Sequence, residues 1–166
     1  MSATVILRML YPQVFAFDKI SDRIIMEKIS FSFNNSTMDN TTQLTPEEIQ
    51  HYRQQFKDYP EALDALDLIN ESDGDLIESA NLLAAEAGIE ISSRKGEGKD
   101  VNILDKLAQK CRSVICDDDF MDDLMSGLLT AGVATLTVSG QIPQAVATPV
   151  VIYLTKKGVK IWCQSN

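Results

Sequence analysis

The densest run of chemically capable side chains is Asp117-Asp118-Asp119-Phe120-Met121-Asp122-Asp123. Within it, Asp118, Asp119 and Asp122 stand in a DDxxD spacing that can hold magnesium and a diphosphate. Magnesium at such a site needs carboxylates from more than one element together with the phosphates of its substrate. The chain offers no second cluster of that kind and no basic clamp for a diphosphate. The run is therefore read as the opening turns of a helix, where the macrodipole favours negative charge. A metal-dependent hydrolase using Asp117 to Asp123 ranks last of three functional readings.

Other candidates weaken in the same way. Glu71, Asp73, Gly74 and Asp75 suggest a calcium loop, but counting from Gly74 puts Ala80 at the bidentate glutamate position and Ile69 at the first ligand position. Cys111, Cys116 and Cys163 make a poor tetrahedral zinc set, with one cysteine remote and no histidine near, and read as buried thiols. His51, the only histidine, falls on a surface-type position with no nucleophile pattern around it. Gly96-Glu97-Gly98 lacks the strand and phosphate-binding pattern of a nucleotide loop. Trp162, beside Val159 and Ile161, reads as a core anchor. No catalytic, cofactor-binding or metal-ligating residue is assigned, and no cofactor is implied.

The 166 residues suit one domain, or a very small helical unit beside a second. Net charge is −9, and such a surface repels phosphate backbones and anionic headgroups, which argues against nucleic acid and against membranes. Residues 38–123 hold 21 acids and 8 bases, whereas residues 124–166 hold three lysines and no acid. Three unpaired-looking cysteines argue against a secreted disulfide framework and for a reducing cytoplasm. Arg8 interrupts the apolar start and no small-residue cleavage site follows, so no signal peptide is read. The sequons at Asn34, Asn35 and Asn40 are read as chance.

These side chains must be positioned by helices. Residues 1–37 carry no capping signals, although Lys28 to Phe33 alternates like a short strand. Met38 is hypothesised to be the true initiator; the competing reading is a real strand or tail. Thr45-Pro46-Glu47-Glu48 opens a first helix with a capping box, striped by Ile49, Tyr52 and Phe56. A second begins near Pro60, with Ala62, Ala65, Leu66 and Ile69 on one face, and stops at Asp73-Gly74. A third, capped by Asp75 with Glu78, buries Leu76, Ile77, Ala80, Leu83, Ala84 and Ala87 before Gly88.

Ser92 to Asp100 is a polar, glycine-bearing linker. Beyond it a fourth helix is striped by Ile103, Leu104, Leu107, Cys111, Val114 and Ile115, and a fifth, the longest, runs from Phe120 almost to Gly140. Leu124 to Thr155 contains no charged residue. Gly140, Pro143 and Pro149 are expected to break it into halves shorter than the roughly 20 residues a bilayer requires, which favours a buried helical pair. The segment 150–163 is open between a hairpin and a helix stopped by Gly158, and helix is chosen.

Leu44 to Gly88 resembles ubiquitin-associated-like three-helix modules, including the one at the start of elongation factor Ts. The likeness lies in Pro60-Glu61-Ala62-Leu63-Asp64-Ala65-Leu66, then Asp73-Gly74-Asp75-Leu76 and Ser79-Ala80. It implies three helices around a tiny core and a protein-binding surface. The Met-Gly-Phe loop of those modules is absent, with Gln55, Phe56 and Lys57 near its place, so the module shape alone carries over. Residues 45–163 also resemble a bacterial protein type found in cyanobacteria, on Leu107-Ala108-Gln109-Lys110-Cys111-Arg112 and Ala147-Thr148-Pro149-Val150-Val151-Ile152-Tyr153. That resemblance implies no activity.

The expected fold is all-α: a small three-helix module followed by a helical hairpin or bundle, with a short N-terminal strand or disordered extension. The segments are 1–44 as extension, 45–91 as module, 92–100 as linker and 101–166 as helical C-terminal part. The leading functional reading is a non-enzymatic, cytoplasmic interaction or adaptor protein with an unidentified protein partner, or one packing on its own copies as a homo-oligomer. The alternative is a membrane-associated protein using 124–155 as a re-entrant pair flanked by Lys156, Lys157 and Lys160.

Overall fold

Capping chemistry sets the first helix where the sequence places it. Thr45 Oγ1 accepts from the Glu48 N–H at 3.2 Å, and the Thr45 N–H donates to Glu48 Oε2 at 2.8 Å, so both arms of the capping box close. This opens α1 (Pro46–Gln55) in a computed structural model that describes residues 40–90 and 102–165. The strand expected at 28–33, the alternative start at Met38 and the linker expected at 92–100 lie outside the described residues.

α2 (Pro60–Glu71) buries Ala62, Ala65, Leu66 and Ile69, the four residues of its apolar stripe. Its end is a Schellman turn: the Gly74 N–H donates to the Ile69 carbonyl at 2.8 Å and Asp73 adopts φ 54°. Gly74 itself sits at φ 85°, and a Cβ there would lie 2.1 Å from the Leu44 carbonyl oxygen. The turn needs glycine twice over, for its backbone conformation and for that close approach. Leu44 donates to Gly74 and Leu76 donates to Thr42, which clips the segment before α1 onto the start of α3 (Leu76–Glu86). Asp75 caps α3 by accepting from the Ile77 and Glu78 N–H groups.

The second half departs from expectation in its breaks. The fourth helix divides at Cys111 into α4 (Ile103–Lys110) and α5 (Arg112–Ile115). There the Cys111 N–H is shared between the Leu107 and Ala108 carbonyls, the tightening that ends an α-helix. The long fifth helix is likewise two, α6 (Asp118–Met125) and α7 (Leu129–Val138). Gly127, at φ 79°, closes α6 with Leu128 N–H to Asp123 O and Gly127 N–H to Leu124 O. An apolar period that ran across the break concealed the change of axis.

Pro149 was expected to interrupt the chain, yet it lies inside α8 (Gln144–Lys157), with Pro143 as the N-cap. Proline removes one intrahelical hydrogen bond. Continuous burial on every side offsets that loss, because Val146 through Leu154 are all buried. A helix buried all round is a central one. α8 packs against α2, α3, α4, α6, α7 and α9 (Val159–Ser165), which follows the Gly158 break. Residues 45–90 and 102–165 therefore share a single hydrophobic core around α8.

The fold is all-α, with nine helices and no strand among the described residues. None of these helices is long and apolar enough to cross a membrane. The uncharged stretch is spent on α7 and α8, which approach closely at Gly132, where a Cβ would stand 2.5 Å from Leu124 Cδ1 and 3.4 Å from Val151 Cγ1.

Candidate functional site

Two groupings have the makings of a site: a polar knot where α4, α8 and α9 meet, and a groove between α2 and α3. The knot centres on Asp105, in the first turn of α4, whose own N–H is held by the Asn102 cap at 2.8 Å. Asp105 Oδ1 accepts from the Tyr153 hydroxyl at 2.8 Å, from Trp162 Nε1 at 2.9 Å and from Lys157 Nζ at 3.2 Å. Lys157 Nζ also donates to the Tyr153 hydroxyl at 2.6 Å. Tyr153 and Trp162 are buried, so this carboxylate accepts from two buried donors.

A lysine, a tyrosine and an aspartate in contact invite an acid–base reading, which their titration opposes. Burial pushes the Tyr153 phenol above its ordinary 10.0, with the Lys157 hydrogen bond offsetting only part of the rise. Burial alone would lower Lys157, but its bonds to Tyr153 and Asp105 win and raise it. At neutral pH the phenol keeps its proton and the ammonium its charge. A general acid or base works best with a pKa near the working pH. The knot ties three helices together.

The groove is 390 Å³ in volume. Glu61, Asp64, Leu68 and Glu71 recur at helical spacing along α2, Leu83 and Glu86 face them from α3, and Asp67 and Ala145 complete the lining. Leu68, Leu83 and Ala145 give it an apolar floor, and five carboxylates form its rim. Among the described residues only Asp67 of these five has a cation partner, Arg53. The positive end of α8 opens here at Ala145 and relieves part of the repulsion between the acids. From Glu61 to Glu71 the wall is about 15 Å long, at 1.5 Å per helical residue.

The candidates singled out in the sequence do not converge. Asp117 caps α6 through the Asp119 N–H, and Asp118, Asp119 and Asp122 are exposed along that helix. Among the described residues no group of three or more His, Cys, Asp or Glu side chains could hold a metal ion. His51 is exposed and hydrogen-bonds its helical neighbour Gln55. The cysteines require a correction. They are not three buried thiols: Cys116 and Cys163 form a disulfide across 47 residues, with Cα atoms 5.7 Å apart, and Cys111 alone stays free and buried. Spacing along the chain conceals this, because the α8–α9 turn at Gly158 is what returns Cys163 to the end of α5.

No known protein family, curated protein or solved structure matches this chain. Sequence reasoning passed over the groove, although a signal was present. α2 carries Glu61, Asp64, Asp67 and Glu71 without one base, and Leu68 stands among them on the polar face. The Asp105 knot gave no such signal, since its members lie 48, 52 and 57 residues apart.

Proposed function

We propose that the chain is a non-enzymatic, cytoplasmic interaction module whose α2–α3 groove docks a basic amphipathic segment of a protein partner. The observation that carries this reading is the groove itself, an apolar floor of Leu68, Leu83 and Ala145 beside an α2 wall about 15 Å long, with five rim carboxylates of which four have no cation partner among the described residues. A helix of about three turns would fit that length, laying leucine- or methionine-like side chains on Leu68 and Leu83 and setting lysines against Glu61, Glu71 and Glu86. Residues 40–90 hold twelve acids and two bases, which would steer a cation toward this face from a distance. Three short helices with a left-handed turn at Asp73-Gly74 also support a ubiquitin-associated-like shape for 45–88.

The test is titration with a helical peptide of alternating leucine and lysine faces, followed by anisotropy. Binding should weaken at least tenfold in the triple variant Glu61→Gln, Glu71→Gln, Glu86→Gln, and weaken with salt. Neutralising Asp118, Asp119 and Asp122, an equally acidic but convex surface, should leave it unchanged. Equal losses in both triple variants would reduce the effect to bulk charge and contradict the groove.

A further inference from the structure

We infer that the Cys116–Cys163 disulfide is a reversible clasp on α9, which a dithiol opens to withdraw Trp162 from Asp105 while the remaining bundle stands. α9 is seven residues long, too short to persist as a helix in water without tertiary contacts. It hangs from Gly158, at φ 87°. Among the described residues its anchors include the disulfide, the burial of Val159 and Trp162, the Trp162 bond to Asp105, and Arg112. Arg112 donates to the Cys163 carbonyl at 3.1 Å and sits 5.8 Å from the Trp162 ring centroid.

Both cysteines of the bridge are half-buried, whereas Cys111 is fully buried. In a reducing compartment disulfides of this kind are transient and redox-sensing, and exposed ones are the labile ones. A dithiol's thiolate attacks one sulfur of the bridge, and its second thiol resolves the mixed disulfide. Two electrons and two protons pass to Cys116 and Cys163, and the dithiol leaves as its own disulfide. Among the described residues α9 packs on α5, α6 and α8 and bonds α4 through Trp162, whereas α1, α2, α3 and α7 have their main helix contacts elsewhere. Its release is therefore local.

Trp162 is the single tryptophan and reports the state directly. In full-length protein oxidised with diamide, acrylamide quenching of Trp162 should rise at least threefold on adding dithiothreitol and fall back on reoxidation. Cys163→Ser should show the high value without reductant. Far-UV dichroism should lose no more than α9 contributes. Three results would each overturn the clasp: Cys116 and Cys163 still alkylated after oxidation, quenching unchanged by reduction, or helicity lost across the whole chain.

Discussion

Asp105 serves three helices with one carboxylate, and its worth follows from what its removal strands. Without it the Trp162 Nε1 and Tyr153 hydroxyl lose their shared acceptor and Lys157 keeps a charge with no carboxylate beside it. Breaking one side of such a network costs more than an ordinary hydrogen bond is worth, because the partners stay desolvated. Asp105→Ala should therefore destabilise by about 3 kcal/mol in urea unfolding, and Tyr153→Phe by about 1 kcal/mol. A loss below about 1 kcal/mol for Asp105→Ala would mean that water replaces the carboxylate and that the knot is decorative.

Among the elements, α8 decides the architecture, and its close contact with α7 depends on Gly132. Adding bulk there drives a side chain against Leu124 and Val151. Gly132→Val should cost about 1–3 kcal/mol through overpacking, read as a lower thermal midpoint, while Val138→Ala, at an exposed position of the same helix, should leave the midpoint nearly unchanged. Equal effects at the two sites would contradict the packing account. Elements were also what the sequence told best. Thr45, Asp75 and the Ala62-Ala65-Leu66-Ile69 stripe are local signals, acting within one turn, and their helices lie where those residues place them. Breaks at Cys111 and Gly127 and continuity through Pro149 were not legible, since each is decided by packing from distant parts of the chain. The groove was half legible: the acids of α2 stood in plain view, but the wall from α3 and the end of α8 required the fold.

At the scale of the molecule, pH divides the contributions of the polar ties. Burial tends to raise Glu48, but the Thr45 N–H and Lys156 outweigh it and hold the carboxyl below its ordinary 4.5. A depressed carboxylate stabilises the fold above its unfolded value and loses that contribution as pH falls through the folded one. The stability gap between the protein and Glu48→Gln should hold steady at neutral pH and close below about pH 4.5. Tyr153 behaves oppositely. Its raised value means that the unfolded chain ionises first, so stability falls above pH 10.0 and the deficit of Tyr153→Phe shrinks there. A Tyr153→Phe gap unchanged above that pH would contradict the buried, proton-holding phenol. Charge organises the molecule more broadly too: twelve acids crowd residues 40–90, while Lys156 and Lys157 are already committed to Glu48 and Asp105.

The most direct measurement is an amide chemical-shift map of the labelled protein titrated with the leucine–lysine helical peptide. Docking in the groove predicts the largest changes at Leu68, Glu71, Leu83, Glu86 and Ala145, residues brought together only by the fold. Changes centred on Asp117 to Asp123, or spread evenly over every acidic surface, would contradict it.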